Sequence, residues 1–114
     1  MSGHRTDRLS EDIKREIFAI ARDLKDPRVN GKFFSIVKLI ISPDAASAKV
    51  YISSIEGIGE AKQIVKGLES ATGFIKREIS NRLHMKKAPE ILFVPDDSIE
   101  QSSQLTKMMD DLIK

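Results

Sequence analysis

The feature that most constrains this chain is a helical pattern broken in its middle. Apolar residues at helical spacing run through residues 60–70 and resume over residues 75–83, but Ala71, Thr72 and Gly73 stand between them. Glycine costs about 1 kcal/mol relative to alanine inside a helix, and the branched side chain of threonine also lowers helix propensity. A continuous helix over residues 60–83 would be about 36 Å long, too long to lie on a sheet of short strands. The triplet therefore predicts two helices that turn sharply, with the kink at Gly73.

A separate helix is predicted over about residues 6–25, near the start of the chain. Its apolar residues are spaced by three or four positions, as one face of a helix requires, and are Leu9, Ile13, Ile17, Ile20 and Leu24. Asp26-Pro27 ends this pattern, because the residue before a proline is pushed out of the helical region. Asn30-Gly31 then supplies a turn.

Two strand patterns follow and predict an antiparallel hairpin. The stretch FFSIVKLII (33–41) is rich in β-branched and aromatic residues, and its two apolar faces favour a central position in a sheet. The stretch AKVYISS (48–54) alternates, with Ala48, Val50 and Ile52 expected to point inward. Between them SPDAAS (42–47) has the residues of a tight reversal.

The chain closes with a short strand and an amphipathic tail. EILFV (90–94) reads as a strand that ends at Pro95, and Ser98 with Gln101 predicts a capping box. A C-terminal helix is expected to follow, with an apolar stripe formed by Ile99, Leu105, Met109 and Leu112. We therefore predict a domain over residues 1–97 and a helical tail over residues 98–114.

The predicted order is α-β-β-α-kink-α-β with an additional C-terminal helix, which is an α+β arrangement. Three helices are enough to cover the apolar face of a three-stranded sheet. This order matches the type II KH-like fold, an RNA-binding architecture that grips nucleic acid with a GxxG loop between two helices. The chain has no GxxG motif. Ala71, Thr72 and Gly73 are therefore expected to shape the helix pair and not to cradle a phosphate.

The charge distribution points to a polyanionic partner. The formal net charge is +2, but residues 1–87 carry +6 and residues 88–114 carry −4. A basic body with an acidic tail favours nucleic acid, although a solvated surface with a chance asymmetry remains an alternative. Cysteine is absent, which excludes disulfides and thiolate chemistry and fits a reducing cytosol. The N-terminal residues also lack the apolar run of a signal peptide or a membrane span.

The densest group of positive charges follows the triplet. Five basic residues lie within twelve positions, opposed only by Glu78, and they are Lys76, Arg77, Arg82, Lys86 and Lys87. They fall off the apolar stripe of residues 75, 79 and 83, so they are free to face solvent and neutralise RNA phosphates. A solvated helix face is the competing interpretation. Arg5, Arg8 and Arg28 are further RNA-binding candidates, although Asp26, Pro27 and Arg28 also suit a structural role.

No pattern in the chain predicts catalysis, a cofactor or a metal. Gly57-x-Gly59 lacks the third glycine and the parallel strand context of a phosphate loop, so a connecting loop is the better interpretation. His4 and His84 have no cluster of ligands around them, and Met108-Met109 suits packing. We therefore expect a binding protein and not an enzyme.

Several short motifs, in order, resemble the ribosome-binding factor A family from about Arg5 to Ser98. They are RTDRLSEDIKREIFAI at the start, DPR at 26–28, SPDAASAKVYIS at 42–53, ATGFIKREI at 71–79 and PEILFVPDDS at 89–98. An Ala-x-Gly kink in place of the KH loop is the hallmark of that family. The resemblance covers the domain but constrains the tail poorly.

The resemblance implies a small cytoplasmic bacterial factor for ribosome biogenesis. Its partners would be the small ribosomal subunit and its ribosomal RNA, with no membrane and no small-molecule substrate. It would act as a monomer on late maturation and 5′-end processing of the ribosomal RNA, with a role in cold adaptation. A KH-like protein-interaction module that docks through its C-terminal helix is the alternative function.

Overall fold

A computed structural model describes residues 2–101 and 107–109, with side chains from Asp7 onward. The secondary structure follows the predicted order. Its elements are α1 (Ser2–Arg22), β1 (Ser35–Ile41), β2 (Ser47–Ser53), α2 (Ile58–Ser70), α3 (Thr72–Arg82) and β3 (Glu90–Asp96). The predicted α+β class and the α-β-β-α-α-β order are confirmed. No helix in the described part is both long and apolar enough to cross a membrane.

The three strands form one sheet in the order β1-β2-β3. β1 and β2 pair antiparallel, with Leu39 opposite Val50, whereas β2 and β3 pair parallel, with Val50 opposite Phe93. The central position predicted for the first strand is therefore wrong, because β2 lies in the middle. The second apolar face of β1 is not buried, since Ile40 on the face that the helices leave uncovered is 43% exposed.

The helices pack on one face of the sheet and form the core with it. Ile13, Ile17 and Ile20 of α1 are almost fully buried, as their spacing predicts. Ile75 and Ile79 of α3 are also fully buried, which confirms the stripe after the triplet. The inward residues predicted on β2 are confirmed too, since Ala48, Val50 and Ile52 are at most 1% exposed. Burial of this apolar area is the main force that holds the helices on the sheet.

β3 runs two residues further than its sequence predicts. The strand continues through Pro95, which stands opposite Ile52, and ends at Asp96. Proline has no backbone N–H, but an edge strand pairs on one side only and tolerates this loss. The prediction that Pro95 ends the strand is therefore wrong, because β3 lies at the edge of the sheet.

The break between α2 and α3 falls on Ala71. This residue has φ −104° and ψ 12°, and its N–H donates to the carbonyl of Leu68 at 3.0 Å. Thr72 begins α3, and its hydroxyl donates to the carbonyl of Glu69 at 2.8 Å, which satisfies an acceptor at the end of α2. Gly73 is helical. The break is confirmed, but the kink expected at Gly73 lies two residues earlier.

The segment after β3 is helical at residues 98–101 and 107–109. Ile99 donates its N–H to the hydroxyl of the buried Ser53 at 3.2 Å, which fixes the start of the segment beside β2. The predicted capping box is wrong, because Ser98 donates its N–H to the Asp96 carboxylate at 2.7 Å and the Gln101 amide donates to the Asp97 carboxylate at 2.8 Å. Leu105 and Leu112 of the predicted stripe lie outside the described residues, and the boundary at residue 97 stays a prediction.

Candidate nucleic-acid interface

The predicted basic cluster is carried by α3 and by the loop that follows it. Buried Ile75 and Ile79 fix the rotation of α3 and so decide where its cations point. Lys76 and Arg82 are six positions apart, which turns them about 120° from one another around the helix axis. The structure accordingly divides the predicted cluster into cations with acidic partners and cations without them.

Lys76 faces the sheet. Its ammonium group forms an ion pair with the carboxylate of Glu90 at the start of β3, and its side chain is 25% exposed. The hydrogen bond from Lys76 is the main reason that the pKa of Glu90 lies below its ordinary value. Lys76 therefore links α3 to β3, and much of its charge is already balanced.

Arg82 faces α1. Its guanidinium lies 3.3 Å from the Glu16 carboxylate of α1 and 3.4 Å from the Glu78 carboxylate one helical turn before it. Such partly exposed pairs add little stability individually, but they hold the guanidinium between two acidic groups. Arg82 is therefore also a poor candidate for a phosphate contact.

The other three cations of the cluster remain open to solvent. Arg77, Lys86 and Lys87 are exposed and form no ion pair within residues 7–101. We call these three residues the α3 cation group. The loop that presents Lys86 and Lys87 is held at both ends, since Met85 donates its N–H to the Ser80 carbonyl at 2.9 Å and Ala88 donates to the Ser80 hydroxyl at 3.1 Å.

Arg28 is held tightly by neighbouring groups. Its Nε and Nη2 atoms donate to the two carboxylate oxygens of Asp26 at 3.0 and 2.7 Å, and Nη2 also donates to the Ser70 hydroxyl at 3.0 Å. The side-chain hydrogen bonds from Arg28 are the largest cause that lowers the pKa of Asp26 from 3.8 to about 2. The same bonds raise the pKa of Arg28. The structural role of this pair is to fasten the segment after α1 to the end of α2.

The remaining candidates lie on α1 and at the helix break. Arg8 is exposed on α1, while the side chain of Arg5 lies outside the described part. Gly73 is exposed, and a Cβ atom built on it would meet no atom within 4 Å. The surface beside the break is therefore open, and Phe74 adds a side chain that is 46% exposed.

The sequence analysis did not predict a cluster of aromatic side chains. Three of the five phenylalanines come together where α1 faces the segment before β1. The rings of Phe18 and Phe34 are 5.6 Å apart at an angle of 54°, whereas Phe33 is 81% exposed. The sequence pattern places Phe33 and Phe34 in the first strand. The signal for the cluster is that Phe18 lies off the apolar stripe of α1.

Comparisons with a family model, with related sequences and with solved structures all match the same family. The family model for ribosome-binding factor A matches residues 5–109. Ribosome-binding factor A of Caldicellulosiruptor bescii is 42% identical, over 98% of this chain and 86% of the relative. The solution structure of a putative ribosome binding factor A from Thermotoga maritima is 32% identical, covers 84% of this chain and 91% of its own, and superposes with a TM-score of 0.73.

A third similar structure comes from Thermus thermophilus. It is a homology model of that organism's ribosome binding factor A fitted into the cryo-EM map of a 30S–RbfA complex. It is 24% identical, covers 81% of this chain and 91% of its own, and has a TM-score of 0.57, which supports the fold. The match to the family model and the identity to the relatives extend over nearly the whole chain. This chain belongs to the ribosome-binding factor A family.

Proposed function

We propose that this protein is an assembly factor that binds the small ribosomal subunit through its ribosomal RNA. The observation that carries the proposal is the α3 cation group, which presents three unpaired positive charges on the described surface of a member of this family. Cations of this kind neutralise phosphates and release the counterions condensed around them. Arg8 is a further exposed cation, on α1.

Two further observations support this proposal. The related Thermus protein is described in a complex with the 30S subunit, which makes the small subunit the natural partner to test. The positive charge of residues 1–87 also favours association with a polyanion. The proposed role is late maturation of the ribosomal RNA, including processing of its 5′ end, with a contribution to growth in the cold. The protein would act in the cytoplasm as a monomeric binding protein without catalysis or a cofactor.

Binding to small subunits tests the role of the α3 cation group. The triple variant Arg77→Glu, Lys86→Glu and Lys87→Glu should cosediment more weakly than the parent protein. Each lost phosphate contact should also flatten the dependence of log affinity on log salt by about 0.7–0.9. Lys76 is left unchanged, because a carboxylate at that position would face Glu90 and weaken the fold.

The matched control reverses Lys25, Lys49 and Lys62, which are exposed and form no ion pair in the described part of the chain. This variant carries the same net charge as the test variant, so it separates a local contact from general attraction. Equal loss of binding in both variants would refute a specific role for the α3 cation group. The maturation role is tested by mapping the 5′ end of the ribosomal RNA in cells that express each variant in the cold. A normal 5′ end in cells that carry the test variant despite lost binding would contradict that role.

A further inference from the structure

The phenylalanine cluster lines an open cleft between α1 and the segment before β1. The cleft measures about 500 Å³, and its apolar wall includes Phe18, Phe33 and Phe34. Its rim carries Arg22 from the last turn of α1 and Lys32 from the facing segment. We call this feature the aromatic cleft. Nothing in the established family membership or in the α3 cation group accounts for it.

The backbone of the aromatic cleft is held in place although its rings are exposed. The hydroxyl of Ser54, which is 1% exposed, donates to the Phe33 carbonyl at 3.3 Å. The N–H of Lys32 donates to the Val29 carbonyl at 3.1 Å, and the Asn30 amide donates to the Leu24 carbonyl at 2.9 Å. A ring presented to solvent on a fixed backbone loses little further freedom when it binds a flat ligand.

Positive charge continues along α1 from the aromatic cleft. A smaller cleft of about 300 Å³ shares Phe18 and is lined by Lys14 and Arg15. Lys14, Phe18 and Arg22 are four residues apart, so each lies about 6 Å from the next along one side of α1. Together the linings of the two clefts hold four basic side chains and one acidic side chain, Glu11.

Not all of these cations are equally available. Arg15 pairs with Asp12 at 2.9 Å, and Lys32 lies 3.3 Å from Glu60. Lys14 and Arg22 have no ion pair within the described residues, and they flank Phe18 on α1. The surface therefore presents a cation, an aromatic ring and a second cation in a row. Proteins that bind single-stranded nucleic acid use such cations to contact phosphates and such rings to stack bases.

We propose that the aromatic cleft holds an unpaired RNA base stacked on Phe33, while the flanking phosphates contact Lys14 and Arg22. An apolar peptide would also fit the rings, but it would gain nothing from the charges of Lys14 and Arg22 beside them. Stacking needs no particular base, because every base has a π face. The inference extends the proposed RNA-binding function, since it assigns a single-stranded segment to a surface distinct from the α3 cation group.

The first experiment uses a tryptophan as reporter. The chain contains no tryptophan, so Phe33→Trp creates a single indole in the aromatic cleft. Addition of short oligouridine or oligoadenosine should quench its fluorescence, because a base stacks on the indole. The matched control is Leu92→Trp, which places the reporter at a position that is 52% exposed on the uncovered face of the sheet. Quenching at both positions alike would overturn the proposal.

The second experiment measures the affinity for the same oligonucleotides. Phe33→Ala should weaken binding about 5- to 150-fold, the range measured for loss of one stacking ring. Phe33→Tyr should bind like the parent protein, whereas Phe33→Leu should lose affinity although it stays apolar. The exposed position predicts that the melting temperature changes by no more than about 3 °C, which circular dichroism verifies. The double variant Lys14→Gln and Arg22→Gln should flatten the salt slope by about 1.4.

The outcomes separate this inference from the proposed function. If the parent protein binds small subunits but Phe33→Ala leaves the affinity for oligonucleotides unchanged, base stacking in the aromatic cleft is refuted. The proposed function would not be affected by that result. Parent-like affinity of Phe33→Leu would also refute base stacking, because an apolar contact without a ring would then suffice. Oligonucleotide binding that depends on Phe33, combined with no cosedimentation of the parent protein with small subunits, would support the aromatic cleft and refute the proposed function.

Discussion

The two sides of the helix break place a glycine in opposite surroundings. Gly67, in the last turns of α2, is buried against the segment after α1, and a Cβ atom built on it would lie 2.5 Å from Cγ2 of Val29. Gly73, in the first turn of α3, is exposed, and a Cβ atom there would meet nothing within 4 Å. Both glycines are helical, so neither needs a conformation reserved for glycine.

The spacing of apolar residues along a helix therefore cannot distinguish a glycine that packs against a neighbouring segment from one that is exposed. Gly67 lies inside a strong apolar pattern and attracts no notice in the sequence, yet it allows another backbone segment to approach closely. Gly73 stands out in the sequence because it interrupts a pattern, yet the chain turns at Ala71. The neighbours of each glycine, which only the fold supplies, decide its role.

The largest change in the free energy of unfolding is expected for a substitution at Gly67. Gly67→Ala should lower the free energy of unfolding by about 1–2 kcal/mol, because overpacking against the buried Val29 outweighs the gain in helix propensity. Denaturant melts measure this change. In the double variant with Val29→Ala the methyl groups in the way are gone, so the combined loss should be smaller than the sum of the single losses. Additive losses would show that Val29 does not cause the effect.

A smaller effect of opposite sign is expected at Gly73. Gly73→Ala should raise the free energy of unfolding by about 0.5–1 kcal/mol, because alanine favours a helix and its Cβ points into open space. The same melts compare it directly with Gly67→Ala. A loss of stability would mean that Gly73 contributes to the turn after all. Weaker binding of this more stable variant to small subunits would show that the open surface serves close approach by RNA.

The smallest change in stability is expected for the Asp26–Arg28 pair, which links the segment after α1 to the end of α2. The pKa of Asp26 falls to about 2, below its ordinary value of 3.8, so its ionised form stabilises the fold above pH 3.8 and this contribution is lost as the pH falls toward 2. The parent protein should therefore exceed Asp26→Asn in stability by a constant amount above about pH 5, and the difference should shrink below pH 4. Thermal melts across this range measure it.

Arg28→Gln provides the control for this pair. Adding Asp26→Asn to the Arg28→Gln variant should then change the pH dependence much less, because the main cause of the lowered pKa is gone. A pH-dependent difference of the original size would show that Arg28 does not hold the Asp26 carboxylate in its charged form. Loss of the pair should also loosen the segment that packs on Gly67, since Arg28 reaches Ser70.

Elements set by local patterns could be predicted well. The burial of Ile13, Ile17 and Ile20 follows from spacing alone, and so does the alternation on β2. The reversal at residues 42–47 also follows from local chemistry, because the Asp44 carboxylate accepts from the Ser42 hydroxyl at 2.7 Å and the Ala46 N–H at 3.1 Å. In each case the residues that decide the structure are close in sequence.

Contacts between distant elements could not be predicted. The sequence groups Lys76 and Arg82 with Arg77, because it does not show that Glu90 and Glu16 come from other elements to pair with two of them. The position of β1 at the sheet edge is a similar case, since an apolar outer face looks like a buried one. The aromatic cleft was missed because its rings come from a helix and a loop that only the tertiary structure joins.

The parallel pairing of β2 with β3 has a consequence for the order of folding. Leu39 and Val50, paired across the hairpin, are 11 residues apart, whereas Val50 and Phe93 are 43 residues apart. Closing the longer loop costs about 1.2 kcal/mol more in chain entropy, unless α2 and α3 have already shortened the path. We therefore expect the hairpin to form early and β3 to join last, so that a nascent chain presents an unpaired β2 edge until residues 90–96 have emerged from the ribosome that makes it.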